Sequence, residues 1–182
     1  MSDYATALDT VVSREDWERM AKHAGVSAAE LKAKLVPALE GVFGRGAPET
    51  TAVSNAPGVK LTAVEQEGDC RSQSFEVDLF SIVGVGGKLT LCGTNSHNWS
   101  AKLTTCLIVA GSSVVCQSYK FDPHDLSVCL NPNAAAAKAK LCYKLRFRHG
   151  KICMSVKGRA CVWSFGWRCG SFSKALFCIG LP

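Results

Sequence analysis

Apolar positions change their period once along the chain. Within residues 3–43 they recur at helical spacing. "SREDWERMAKHAG" sets Trp17, Met20, Ala21 and Ala24 on one face, and "SAAELKAKLVPALEGVF" sets Leu31, Leu35, Leu39 and Val42 on one stripe. Each run opens on a serine followed three residues later by an acid, Ser13 with Asp16 and Ser27 with Glu30, which is the spacing of a capping box; Gly25 supplies the stop between them. Pro37 predicts a kink or a split in the second helix.

Residues 44–58, "GRGAPETTAVSNAPG", read as a linker. Beyond them the period is two, interrupted by turn signals at "GVGG", "GTNSHN", "AGSS", "DPHD", "NPNAAAA", "HG", "KG" and "FGW". A turn every 8–14 residues or so belongs to an antiparallel sandwich or barrel. The predicted fold is therefore α+β: an acidic helical segment (1–43), a linker (44–58) and a cysteine-rich antiparallel β-domain (59–182) of about eight to ten strands.

Side chains alternate across a strand, so parity assigns each residue to a face. Over residues 140–148, Leu141, Tyr143, Leu145 and Phe147 oppose Lys140, Cys142, Lys144, Arg146 and Arg148. Over 151–157, Ile152, Met154 and Val156 oppose Lys151, Cys153, Ser155 and Lys157. A tight turn at His149 and Gly150 pairs Arg148 with Lys151 and Arg146 with Cys153, which aligns the two apolar faces. The same parity sets Cys106 against Leu103 and Leu107, and Cys116 against Val115, Tyr119 and Phe121. Core cysteines behave as small hydrophobes and share the leucine face. Here they share the basic one.

Two arrangements fit. Either that face is solvated and its cysteines are cross-strand disulfides, or it is a second packing face of Cys, Thr and Ser. Directly opposed residues at non-hydrogen-bonded positions are within disulfide reach. A symmetric turn at "AGSS" opposes Cys106 to Cys116, and compatible turns pair Cys153 with Cys161 and Cys169 with Cys178. Cys142 and Cys153 stand four residues out of step, about 13 Å along their own hairpin, and do not pair. All ten cysteines lie between Cys70 and Cys178, and none has the C-x-x-C spacing of a zinc site.

Charge sharpens this division. Residues 1–78 carry 8 Lys/Arg against 13 Asp/Glu, residues 79–182 carry 13 against 2, and no Asp or Glu follows Asp125. A basic half of this kind suits an anionic membrane, a polyanionic glycan, nucleic acid or its own acidic partner half. The candidate binding surface is Lys140, Lys144, Arg146, Arg148, Lys151, Lys157 and Arg159, joined by Trp163, Phe165, Trp167 and Arg168 as an aromatic and basic patch fit for a lipid interface or sugar rings. The "FSIVGVGG" stretch is a candidate apolar loop. Disulfides imply an oxidising destination, whereas "MSDYATALDTVVSRED" lacks the regions of a signal peptide. Either residues 1 to about 46 are a leader or prosegment, with export by a leader-dependent or non-classical route, or the helices pack permanently on the sheet.

Catalytic chemistry finds little support. His124 between Asp122 and Asp125 is ordinary turn chemistry, no serine sits in a G-x-S-x-G frame, and no cofactor or metal is called for. "MAKHAGVSAAELKAKL" resembles the helix-turn-helix of DNA-binding repressors, which implies DNA binding through residues 13–43, although Ala28, Ala29 and Glu30 occupy the start of the would-be reading helix. The leading expectation is a non-enzymatic, toxin- or defence-like protein with a cationic, disulfide-stapled β surface for an anionic membrane or glycan. The alternatives are an intracellular small-ligand β-barrel with reduced thiols and a DNA-linked regulator.

Overall fold

A computed structural model of the chain describes residues 3–43, 59–80, 83–95, 97–163 and 166–181. Its helices are α1 (Asp3–Leu8), α2 (Arg14–Ala24) and α3 (Ala28–Phe43). Both capping boxes form: Ser13 Oγ accepts from the Asp16 amide while the Asp16 carboxylate accepts from the Ser13 amide, and Ser27 and Glu30 repeat the exchange. Gly25, at φ 72°, closes α2 in the left-handed conformation that favours glycine. Pro37 does not split its helix, because α3 runs unbroken from Ala28 to Phe43. The linker at 44–58 lies outside the described residues.

Among the described residues ten strands follow: β1 (Val59–Leu61), β2 (Glu65–Glu67), β3 (Cys70–Phe80), β4 (Val83–Asn95), β5 (Asn98–Val109), β6 (Ser112–Phe121), β7 (Ser127–Leu130), β8 (Ala137–Arg148), β9 (Lys151–Trp163) and β10 (Trp167–Gly180). They form two antiparallel sheets. Strands β3 to β6 run as a meander, with β1 and β2 both paired to β3, and β7 to β10 run as a second meander. The chain crosses between sheets at Asp122–Asp125, a turn closed by reciprocal backbone hydrogen bonds and by Tyr119 Oη donating to the Asp125 carboxylate.

The leucine faces meet between the sheets, where Leu89, Leu91, Leu103 and Leu107 pack with Leu141, Leu145, Ile152 and Met154 in one buried cluster. Thr105 Oγ1 and Tyr143 Oη share a 2.6 Å hydrogen bond across the layers, and Thr105 also donates to the Gly86 carbonyl. Both side chains are buried, and burial drives the Tyr143 hydroxyl pKa well above the ordinary tyrosine value. The helices join the same core through Leu8, Leu31, Leu35 and Leu39, with α2 packed on β6. They sit against the six-stranded sheet.

Two expected turns are strand interior instead. Gly86 and Gly87 of "GVGG" lie inside β4, and Gly158 of "KG" lies inside β9. A Cβ on Gly87 would stand 2.7 Å from the Phe75 ring, and one on Gly158 would stand 2.6 Å from the Lys140 carbonyl oxygen and 3.1 Å from the Phe172 ring. These glycines admit an aromatic ring from the neighbouring strand rather than reverse the chain. Val83 and Val85 are accordingly buried, so the stretch expected to be an apolar loop contributes core; residues 81–82 lie outside the described residues.

Candidate anion-binding face

Ten cysteines form five disulfides, and every one joins residues directly opposed on adjacent antiparallel strands. The pairs are Cys70–Cys92, Cys106–Cys116, Cys129–Cys142, Cys153–Cys178 and Cys161–Cys169. Their Cα atoms lie 3.9 to 4.2 Å apart, the close approach of non-hydrogen-bonded positions. Cys106–Cys116 is the expected pair. Cys153–Cys161 and Cys169–Cys178 are not formed: with Gly158 inside β9, Cys153 and Cys161 stand on one continuous strand, and the antiparallel run of β10 brings Cys178 to the first and Cys169 to the second. Cys142 faces Lys157 on β9, so it turns to Cys129 on β7.

Five disulfides belong to an oxidising environment. They stand on the outward faces of both sheets, where a stapled pair takes no volume from the core. Cysteine therefore falls among lysines because the leucine face is already filled.

The outward faces differ in charge. On the six-stranded sheet, Lys60, Lys88, Lys102 and Lys120 share the surface with Glu65, Glu67, Glu76 and Asp78, and Lys88 pairs with Glu67 at 3.1 Å. On the four-stranded sheet, β8 presents Lys138, Lys140, Lys144, Arg146 and Arg148, and β9 presents Lys151, Lys157 and Arg159. Among the described residues these strands carry no carboxylate side chain, since none follows Asp125. Lys140 stands directly opposite Arg159, and Arg148 opposite Lys151. Directly opposed like charges destabilise a sheet. Ser155, Ser171 and Ser173 stand among the cations, on the same outward parity of β9 and β10.

Of the sequence-predicted surface, Lys140, Lys144, Arg146, Arg148, Lys151, Lys157 and Arg159 share this face. Trp163 and Trp167 face each other at its end, and Lys138 Nζ lies 4.1 Å from the Trp167 ring centroid. Arg168, expected on this face, does not share it. Adjacent residues of a strand point oppositely, and with Trp167 outward Arg168 stands opposite the buried Val162, on the inward side. Phe165 lies outside the described residues. Lys138 escaped the sequence-based set although its even parity on β8 marks it as clearly as Lys140.

Elsewhere, Asp122 Oδ1 accepts the His124 amide at 2.7 Å within its turn. In the segment resembling a helix-turn-helix, Glu30 is engaged in its cap and Lys32 is paired with Asp9. No described helix is long and apolar enough to cross a membrane. No protein-family model, curated protein or solved structure matches the chain.

Proposed function

We propose that the protein is a non-enzymatic binding protein, exported in the manner of toxins and host-defence proteins, that engages an anionic surface through the outward face of β7–β10. One observation carries this reading: eight cations on one rigid sheet face with no carboxylate among them, two pairs of which are directly opposed. Such a face is strained by its own charge when empty and relieved by a bound polyanion. Three of the disulfides, Cys129–Cys142, Cys153–Cys178 and Cys161–Cys169, staple the strands that carry the cations, so little ordering free energy is lost on binding. All ten cysteines are paired in disulfides, which favours this reading over a carrier with reduced thiols.

Equilibrium binding to heparin and to phosphatidylserine vesicles, at several salt concentrations, tests the proposal. A polyanion engaging five of these cations releases their counterions, and affinity then falls by roughly 250-fold between 0.05 and 0.2 M salt. Salt-independent binding, or none to either probe, sinks the proposal.

A further inference from the structure

The cationic face is not uniform. Near its tryptophan end lies a recess of about 500 Å³ lined by Asn131, Pro132 and Asn133 on one side and by Lys138, Lys140 and Arg159 on the other, with the Cys161–Cys169 disulfide also in its wall. Its size falls within the range of small-ligand sites. The loop of the first wall is strapped to β8: the Ala139 amide donates to the Pro132 carbonyl at 2.9 Å and the Ala134 amide to the Ala137 carbonyl at 2.8 Å. Asn133 Oδ1 accepts the Ala135 amide at 3.0 Å, which fixes the side chain and leaves its NH2 group as a donor.

Three cations thus converge with two carboxamides beside a tryptophan that is 43% exposed. The donors suit sulfate or carboxylate groups and ring hydroxyls, and the indole suits the face of a pyranose. Lys138 belongs to both parts, since it lines the recess while its ammonium rests on the Trp167 ring.

Building on the anionic-surface reading, we propose that this recess holds one acidic sugar of a sulfated glycan chain, the rest of which runs along β8 over Lys144, Arg146 and Arg148. From Lys138 to Arg148 the strand spans roughly 33 Å, a track for several sugar residues in a row. The incoming sulfate draws Lys138 off Trp167, and the freed indole packs against the sugar ring. A chain is favoured over a bilayer because, among the described residues, the outward positions of β8 and β9 carry no aliphatic side chain to anchor in lipid, and Trp163 and Trp167 stand together at one end.

The test is titration with a heparin-derived octasaccharide at 0.15 M NaCl, followed by tryptophan emission and by calorimetry, on wild type, Arg159→Gln, Asn131→Ala, Trp167→Phe and the charge-matched Arg148→Gln. The expected result is a tenfold or greater loss for Arg159→Gln, about fivefold for Asn131→Ala although no charge is removed, two- to threefold for Arg148→Gln, and an emission change that Trp167→Phe abolishes. Equal losses for both arginine variants with none for Asn131→Ala overturn the recess and leave the face. Inorganic sulfate competing at concentrations equivalent to the octasaccharide's sulfate content overturns the sugar. Binding to phosphatidylserine vesicles without binding to the octasaccharide overturns the glycan while the broader reading stands, and binding to neither overturns both.

Discussion

Replacing Lys140 by glutamine should make the protein more stable and a weaker binder. Lys140 has Arg159 directly across the ladder, Lys157 on the diagonal and Lys138 two residues along its own strand. Taking charge separations of about 6, 7.5 and 7 Å at the dielectric constant of water, with a Debye length near 10 Å in 0.1 M salt, the three repulsions sum to about 0.9 kcal/mol. At 1 M salt the Debye length is near 3 Å and the sum falls to about 0.2 kcal/mol. Urea unfolding with disulfides intact reads both values without adding ions of its own. Lys140→Gln should gain nearly 1 kcal/mol in 0.1 M NaCl, equivalent to a rise of about 2–4 °C in Tm, and most of the gain should vanish in 1 M NaCl. The same substitution should lower the salt slope of heparin binding by about one contact. A variant no more stable than wild type at 0.1 M, or one whose gain ignores salt, refutes the claim that these cations are held together against their mutual repulsion.

Gly158→Ala should cost about 1–3 kcal/mol, read by the same urea unfolding, because its Cβ meets the Lys140 carbonyl oxygen and the Phe172 ring and neither can retreat freely. Tyr143→Phe should lose about 1 kcal/mol at pH 7 with the hydrogen bond to Thr105. Tyr143 has a folded-state pKa above its unfolded value, so its stabilising proton is fully present below pH ~10 and is lost as pH rises beyond it; the gap between wild type and Tyr143→Phe should close and then reverse between about pH 10 and 12. Cys153→Ser should free Cys178, and not Cys161, for alkylation, as peptide mapping would show. Loss of the Cys161–Cys169 bridge, with a sequence separation of 8, should cost about 2.5 kcal/mol, against about 3 for Cys153–Cys178, whose span of 25 encloses it.

Local pattern carried much of this fold into the sequence. The serine boxes, Gly25, the parity of β8 and β9, the turn at His149 and Gly150 and the opposition of Cys106 to Cys116 all depend on residues close along the chain. Features set by distant partners were not legible. Nothing near Gly158 announces that Phe172 will lie across it, so "KG" reads as a turn, and that reading carries the wrong partners to Cys153 and Cys161. Gly87 under Phe75 repeats the case. For the candidate site, strand parity predicts the cations of β8 and β9, whereas the recess needs the 131–133 loop folded beside β8, a juxtaposition that spacing does not encode.

Two neutralised proteins separate the β7–β10 face from net charge. One carries Lys140→Gln, Lys144→Gln, Arg146→Gln and Lys157→Gln on the face without carboxylates; the other carries Lys60→Gln, Lys88→Gln, Lys102→Gln and Lys120→Gln on the balanced face, the same change in net charge. Heparin affinity measured for both across a salt series should collapse, together with its salt slope, in the first and change little in the second. Equal losses in the two proteins would mean that net charge, and not this face, governs binding.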